Sequence, residues 1–428
     1  MLQYGLLALQ NKYETPGIVM SAKINKIFSR EIQNLDAAGL LRTETVAEQT
    51  ADMKVNFKDN NNILNFIGND ILGWSSSDKI KNAAAAALDK YGINNTSPRY
   101  TIGTQEITKA LESKLASFLG LDDCIVFSSS YLASISLFEP LTSKIDTIFI
   151  DEMCSPGLYD GIRLSNANIV TYKHQDYEEL EFQLKCAQNS RFRIIVTDTV
   201  YSADGSHADL ERIQKLKQTY DAITIVDDSL GIGVLGQNGI GSFNHLHLNT
   251  NPNLLTGTFA LALGNVSGGF IAGDKDLINW LRHTSRPYLL SEPISPLNAA
   301  VVTQVIDELE HCQFNPVTDA VRPDIDDDQA PMEKLYSNSI YIKNEMQKND
   351  WQVTRNTYPF VSLNVGSTIN AQKMVESLFS KKILVSALCY PNTPEGSSQL
   401  QINLSASHTK KQLNKLVKSI TEAFTEIK

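Results

Sequence analysis

The pattern of apolar and polar positions predicts alternating strands and helices through the middle of the chain. Short apolar runs recur between residues 123 and 227, and segments with helical spacing separate them. Ala222–Asp227 is apolar almost throughout, which is typical of a strand buried on both faces. Gln105–Leu119 has one apolar stripe, typical of a helix packed on a core, formed by Ile107, Leu111, Leu115 and Leu119. This order of elements predicts an α/β protein.

The pattern changes at both ends of the alternating region. Ser21–Ala47 mixes apolar and charged positions at helical spacing, so residues 1–60 are predicted to form an N-terminal helical arm. Residues 61–312 are predicted to form a large domain, and 333–428 a smaller C-terminal α/β domain. The segment 313–332 between them is acidic and contains proline, which predicts a loop. Its DIDDD run is compatible with a basic partner, although a solvated loop is the simpler interpretation.

Composition narrows the function classes. The 428 residues carry a net charge of −10, which argues against a nucleic-acid partner because phosphate contacts need clustered Lys and Arg. The apolar runs are too short to cross a bilayer, and the N-terminal residues make a poor signal peptide. Five scattered cysteines indicate reduced thiols, and neither they nor the seven histidines have metal-ligand spacing. We therefore expect a soluble, cytoplasmic protein without a metal site.

The segment Leu254–Phe270 carries the most specific signal. It predicts a strand, a tight turn rich in glycine, and a second strand that begins near Gly268. Its pattern T-x-x-x-A-x-G-x-x-S-G-G resembles the lysine loop of the α-oxoamine synthases, pyridoxal-phosphate (PLP) enzymes that condense an amino acid with an acyl thioester. In that family the fourth position holds the lysine that forms the Schiff base, and here it is Leu261. Leucine has no lone pair with which to attack an aldehyde.

Further motifs of the same family recur in the same order along the chain. They are S-P-R-Y-T-I-G-T up to Thr104, the D-G-x-R-L-S run ending at Ser165, and the strand end at Asp227. The resemblance covers most of residues 60–428. It implies the fold-type I PLP transferase fold, with a mostly parallel, seven-stranded-type sheet in the large domain and a smaller C-terminal α/β domain.

The resemblance also assigns a cofactor site, which is degenerate here. It places the PLP phosphate at the helix start formed by Ser129, Ser130 and Tyr131, although a plain serine-rich helix cap explains these residues about as well. It places Asp227 at the pyridine nitrogen; the alternative is a strand-end acid that caps a turn. Two further positions line the implied cofactor site, namely Ser202 and Thr258.

Four functional positions of the family are replaced. Besides Leu261, Ser155 stands where a histidine stacks on the cofactor ring, and Leu230 stands where a second histidine belongs. Gln401 replaces the arginine that holds the substrate carboxylate, and a neutral amide cannot offer that charged, bidentate grip. Cys154, beside Ser155, is interpreted as a buried thiol and not as a nucleophile. The resemblance implies PLP as cofactor, but covalent attachment is not expected.

Three hypotheses follow. The first is a non-catalytic subunit of a PLP-dependent acyltransferase of the serine palmitoyltransferase type, because the P-R-Y-T-I-G-T run and Cys154 resemble the lysine-less subunit of that enzyme. Such a chain would form a homo- or heterodimer, most simply with a lysine-containing homologue. That subunit usually has a membrane span, which is not expected here. The second hypothesis is a stand-alone protein that binds a ligand in the degenerate cofactor pocket. The third is an enzyme that binds PLP non-covalently.

Overall fold

The computed structural model describes residues 21–37, 41, 44–50, 52–316, 329–349, 351, 360–389, 393 and 396–427. Residues 1–20 of the expected arm and 317–328 of the expected acidic loop lie outside the described residues. The division into arm, large domain, loop and small domain therefore stays a prediction.

The N-terminal region contains strands that the sequence pattern did not predict. Helix α1 spans Ser21–Ala37 and is followed by β1 (Glu48–Thr50), β2 (Lys54–Phe57) and β3 (Asn60–Asn65). These strands pair antiparallel in sequence order. The expectation of a helical arm through residue 60 is therefore wrong for β1 and β2. Short polar strands lack a clear two-residue alternation, and their partners supply the pairing.

The large domain follows as alternating elements. Its helices are α2 (Asp78–Tyr91), α3 (Glu106–Leu119), α4 (Ser130–Ile135), α5 (Pro156–Leu164), α6 (Tyr177–Cys186), α7 (Leu210–Tyr220), α8 (Ser242–His245), α9 (Lys275–Thr284), α10 (Arg286–Leu290) and α11 (Pro296–Cys312). Its strands are β4 (Asp123–Phe127), β5 (Thr147–Asp151), β6 (Asn168–Tyr172), β7 (Arg193–Asp198), β8 (Ile223–Asp227), β9 (Leu254–Thr258) and β10 (Gly269–Gly273).

These seven strands form one sheet in the order β4-β10-β9-β8-β7-β5-β6. Strands β6, β5, β7, β8 and β9 pair in parallel, whereas β10 is antiparallel to both of its neighbours. The mostly parallel seven-stranded sheet expected from the sequence is confirmed. Because the parallel strands end at one edge, the loops that follow β7, β8 and β9 lie close together there.

The C-terminal part contains α12 (Pro331–Lys348), β11 (Phe360–Gly366), α13 (Thr368–Ser380), β12 (Ile383–Leu384), β13 (Ser386–Leu388), β14 (Ser398–Asn403) and α14 (Lys410–Ile427). Strands β11, β14 and β13 form an antiparallel sheet in that order. Strand β12 instead pairs in parallel with β3, so that the N-terminal strands and the C-terminal part share a second sheet. This arrangement brings β14 against the strand-end edge of the large sheet.

Candidate functional site

The loop between β9 and β10 is closed by its own backbone. Phe259 donates to the Gly268 carbonyl at 3.0 Å, and the Trp74 indole donates to the Ala262 carbonyl at 2.8 Å. Gly268 has a φ of +149°, and a Cβ there would meet the Phe259 ring at 2.5 Å. The loop therefore requires glycine at this position, and its fixed shape directs Leu261 toward the neighbouring loops.

Leu261 lines a cavity of about 290 Å³ together with three other positions that the sequence singled out: Leu230, Ser202 and Gln401. The rest of its described lining is mostly apolar and includes Ile71, Val200, Tyr201, Phe360 and Leu404. None of the described residues that line the cavity carries a charge. Leu261, Leu230 and Gln401, the positions at which the resemblance implies a replaced lysine, histidine and arginine, thus lie on one cavity, and its described lining is neutral.

Gln401 connects the C-terminal part to the large domain. It lies on β14, and its side-chain amide donates to the Ser202 carbonyl at 3.4 Å. The amide is therefore engaged by backbone across the cavity, and Gln401 has the role of a neutral bridge. Its chemistry suits a polar but uncharged ligand better than a carboxylate.

Two acids lie side by side at the ends of β7 and β8. Asp198 and Asp227 are register partners in these parallel strands, and both are buried. Burial raises the pKa of both carboxyl groups, and the charge of Asp227 raises that of Asp198 further. Ser155 donates its backbone N–H to Asp198 at 3.0 Å. Within the described chain, Asp198 Oδ1 and the Ser155 hydroxyl are buried without a hydrogen-bond partner.

Asp227 also has the turn-capping contact of the alternative interpretation, because its Oδ1 accepts the Ser229 N–H at 2.8 Å. A capped turn and an inherited cofactor position are compatible, since one carboxylate can accept several hydrogen bonds. The sequence did not single out Asp198. Its signal was the D-x-V-x-S run that begins at Asp198 and ends at Ser202, and only the strand register reveals that Asp198 neighbours Asp227.

The residues assigned to a phosphate lie at the start of α4. The Ser129 hydroxyl accepts the Leu132 N–H at 3.1 Å, which is the helix cap of the simpler interpretation. The Tyr131 hydroxyl donates to Asp160 at 2.8 Å on α5. Thr258 precedes the loop that corresponds to the lysine loop, and its hydroxyl accepts the Ala260 N–H at 3.1 Å. A Cβ at Gly269 would meet the Ser130 backbone at 2.4 Å, so β10 packs directly against this helix start.

A second network beneath the cavity was not predicted. The His174 Nδ1 lies 2.9 Å from Asp151, and its Nε2 lies 3.0 Å from the Ser206 hydroxyl. The Tyr201 ring packs edge-on against the imidazole at 4.5 Å. Burial alone would lower the pKa of His174, but the hydrogen bond and charge of Asp151 outweigh it and raise the pKa. This network fixes the loop after β7, which forms one wall of the cavity.

The residues of the site fit the ring-nitrogen end of a pyridoxal group but not its aldehyde end. Asp227, with the buried Ser155 hydroxyl and Asp198 oxygen nearby, suits a protonated ring nitrogen, and the bound group would supply an electron sink. At the aldehyde end Leu261 offers no amine. Within the described residues, no cluster of His, Cys, Asp and Glu could hold a metal ion, and no helix has the length and apolarity for a membrane span.

Comparison with known proteins agrees with this geometry. The family model for aminotransferase class I and II matches residues 61–420. The chain is 32% identical to 2-amino-3-ketobutyrate coenzyme A ligase of Salmonella typhimurium over 95% of its own length and 98% of that protein. It is also 32% identical to 8-amino-7-oxononanoate synthase of Thermoanaerobacter pseudethanolicus, over 91% of its length and 94% of that protein.

Solved structures share the fold. Serine palmitoyltransferase of Sphingomonas wittichii superposes with a TM-score of 0.84 at 22% identity, over 96% of this chain and 99% of that chain. A lysine-to-alanine variant of the S. paucimobilis enzyme, with bound PLP–myriocin aldimine, superposes with a TM-score of 0.83 at 22% identity. The match covers 96% of this chain and 99% of that chain. At this identity the likeness shows the fold alone. On the family match and the two sequence relatives, this chain belongs to the aminotransferase class I and II family and, within it, to the α-oxoamine synthases.

Proposed function

We propose that this chain is a non-catalytic subunit of a PLP-dependent C-acyltransferase that joins an acyl thioester to an amino acid. The proposed type is serine palmitoyltransferase, in a pathway to a sphingoid-like base. The observation that carries this proposal is Leu261, which lines the cavity where the family has its lysine. The glycines and turns that shape the site remain, so the chain keeps the form of the enzyme without its nucleophile.

An exposed apolar surface supports a partner subunit. Tyr100 and Ile102, in the loop after α2, are 70% and 80% exposed, and Leu290 is 61% exposed. The Tyr100 N–H donates to the Leu289 carbonyl at 3.1 Å, which joins this loop to α10. Helix α1 also exposes Ile24, Phe28 and Ile32 along one face. Apolar patches of this kind are typical of protein–protein interfaces.

The first experiment is spectroscopic. The purified protein is mixed with PLP, its absorbance is recorded, and borohydride is added to fix any Schiff base. We expect no reducible adduct at this site in the wild type, and one reduced pyridoxyl group in Leu261→Lys because the loop shape is retained. Leu230→Lys, which places a lysine elsewhere in the same cavity, is the matched control. A site-specific adduct on the wild-type chain would mean that another lysine serves, and the proposal would be wrong.

The second experiment tests the subunit role. The chain is co-expressed with a lysine-bearing homologue from the same cells, and the complex and its acyltransferase activity are measured. We expect the partner to be active in the complex and to lose activity when Tyr100→Ser and Ile102→Ser weaken assembly. Ile145→Ser, which changes an apolar residue that is 61% exposed elsewhere, is expected to leave assembly unchanged.

A stand-alone ligand-binding role is the second candidate, and it is favoured because none of the described residues that line the cavity carries a charge. A volume near 290 Å³ is at the small end of ligand sites, which span roughly 300–1,000 Å³. If this role is correct, the chain purifies from its native cells without a homologue and retains a small neutral molecule. A PLP enzyme without a covalent link is the third candidate, supported by the buried Asp227. It predicts amino-acid-dependent changes in the spectrum of added PLP.

A further inference from the structure

Three side chains that the proposed function does not use are joined by hydrogen bonds. His174 Nδ1 lies 2.9 Å from Asp151 Oδ1, and His174 Nε2 lies 3.0 Å from Ser206 Oγ. Asp151 ends β5, His174 follows β6, and Ser206 lies in the loop after β7. A carboxylate, an imidazole and a hydroxyl joined in this order form the arrangement that activates a serine as a nucleophile. We refer to Asp151, His174 and Ser206 as the serine triad.

The carboxylate of the triad is held in place by backbone groups. The Asp151 side chain is 0% exposed. Its Oδ1 also accepts the Met153 N–H at 2.8 Å, and its Oδ2 accepts the Gln175 N–H at 2.9 Å. A carboxylate that faces Nδ1 keeps the proton of the neutral imidazole on that nitrogen. The Nε2 lone pair of His174 is then available to accept the Ser206 hydroxyl proton.

A second carboxylate supports the other end of the imidazole. Asp204 Oδ2 lies 3.9 Å from His174 Nε2, and Asp204 Oδ1 accepts the Ser206 N–H at 2.9 Å. Asp204 therefore fixes the backbone of the serine, and its charge stabilises the imidazolium that forms when His174 takes up a proton. The His174 side chain is 19% exposed, so the imidazole is shielded by the protein without being sealed off from solvent.

The loop that carries Ser206 is closed by its own backbone. Tyr201 donates to the Ser206 carbonyl at 2.9 Å, and Gly205 donates to the Tyr201 carbonyl at 2.8 Å. Gly205 has a φ of +74°, which favours glycine at this turn. Ser206 is partly exposed, and the preceding Gly205 lines the largely apolar cavity. Apolar space for a short acyl group therefore begins one residue from the hydroxyl.

The residue after Ser206 has a backbone donor that is turned away from the loop closure. His207 meets Val200 in an antiparallel bridge. The hydrogen bonds of this bridge are made by the flanking residues, as in the bond from Tyr201 to Ser206, so the His207 N–H points away from Val200. In serine hydrolases the N–H of the residue after the nucleophile stabilises the oxyanion that forms during acyl transfer.

We propose that the serine triad is an esterase-type site that hydrolyses small, activated acyl esters. Ser206 Oγ attacks the acyl carbon while His174 Nε2 takes the hydroxyl proton, and the His207 N–H donates to the oxygen that becomes negative. The bond from the acyl carbon to the leaving oxygen breaks, and the alcohol leaves with the proton from His174. Water then attacks the acyl–Ser206 ester, gives a proton to His174, and releases the acid and the free serine.

Labelling of the full chain with a fluorophosphonate probe tests the proposal. The Ser206 oxygen displaces fluoride from the phosphorus of the probe, and peptide mass spectrometry locates the adduct. We expect one adduct, on Ser206. In a parallel assay with p-nitrophenyl acetate, we expect a burst of p-nitrophenolate stoichiometric with the chain, and the prior fluorophosphonate adduct is expected to abolish this burst. The absence of an adduct on Ser206 in the wild-type chain overturns the proposal.

Variants separate an activated serine from a structural hydrogen bond. His174→Gln is expected to slow labelling of Ser206 at least about a hundredfold, because the general base is lost. Ser206→Ala is expected to abolish both the adduct and the burst, and it serves if His174→Gln fails to fold, since it removes only a hydroxyl. Ser143→Ala is the matched control, because Ser143 is also partly exposed and donates directly to a carboxylate, that of Asp146, at 3.0 Å. It is expected to react as the wild type does. An equal labelling rate in folded His174→Gln, or an unchanged burst in Ser206→Ala, means that the triad is structural and overturns the proposal.

Discussion

A buried ion pair anchors the loop that carries Tyr100 and Ile102, and its removal gives a sharp test of the fold. Arg99 lies 3.1 Å from Glu112 on α3, with side chains that are 2% and 1% exposed. The same guanidinium donates to the Tyr288 hydroxyl at 3.0 Å and to the Val126 carbonyl at 3.2 Å. Its centre lies 4.6 Å from the Tyr288 ring. Arg99→Met removes the charge and these hydrogen bonds and leaves a shorter, unbranched apolar side chain.

The expected cost follows from what the variant leaves behind. Breaking a buried pair by removing one partner costs about 3–5 kcal/mol, because the remaining charge is buried without its counter-ion. Lys109 also contacts Glu112, but its side chain is 47% exposed. It compensates weakly, since an exposed ion pair contributes about 0.2–1 kcal/mol. We therefore expect Arg99→Met to lower the free energy of unfolding by about 3–5 kcal/mol.

Urea unfolding followed by fluorescence measures this change. Lys109→Ala, which removes the exposed partner of the same carboxylate, is the matched control and is expected to cost less than about 1 kcal/mol. The double variant Arg99→Met with Glu112→Leu removes both charges, and we expect it to be more stable than Arg99→Met alone. If Arg99→Met costs no more than Lys109→Ala, or if the double variant is less stable still, the interpretation of a dominant buried pair is wrong.

Two further predictions concern stability. Burial lowers the pKa of His408 from 6.5 to about 4, so the folded state disfavours protonation of this imidazole. The contribution of His408 to the free energy of unfolding is therefore fully present above the pKa of the unfolded state, and it is lost as the pH falls below that pKa. Urea titrations from about pH 7 to about pH 4 are expected to show that the free energy of unfolding falls by about 3 kcal/mol through His408, and that His408→Gln abolishes this loss. An unchanged pH dependence in the variant would contradict the prediction. Gly269→Ala forces a Cβ to within 2.4 Å of Ser130, and thermal unfolding is expected to reveal a cost of about 1–3 kcal/mol; wild-type stability would mean that β10 can shift.

The sequence predicted the parts of this fold whose signals are local. Strands β9 and β10 and the turn between them follow from glycines and apolar runs, and the structure confirms these elements. Leu261 was assigned to the lysine position because motif residues bracket it on both sides, and this assignment stays a prediction. Strands β1 and β2 could not be predicted, because their pairing partners rather than their own composition define them. The same holds for β12, whose two residues pair with β3 across most of the chain.

The site itself required contacts that no local pattern contains. Asp198 begins the motif that ends at Ser202, but only the strand register shows that it lies beside Asp227. Likewise, Gln401 was predicted to lack a carboxylate grip, whereas its contact with the Ser202 carbonyl depends on how β14 meets the large sheet.

If the proposed subunit role is correct, the convergence of Leu261 and Leu230 on one cavity gives the two replacements a common physical reason. A lysine in an apolar, partly closed space is costly unless a cofactor or a counter-charge accompanies it. Once the amine is absent, a nearby histidine has no proton to exchange with it, and leucine fills the space with apolar contacts. The cavity then remains open at about 290 Å³, and the described residues that line it are neutral. This reasoning predicts that Leu261→Lys alone destabilises the protein without PLP and that added PLP restores its stability. If the variant is equally stable with and without PLP, the cavity no longer accommodates the cofactor, and the stand-alone ligand-binding role gains support over an inherited PLP site.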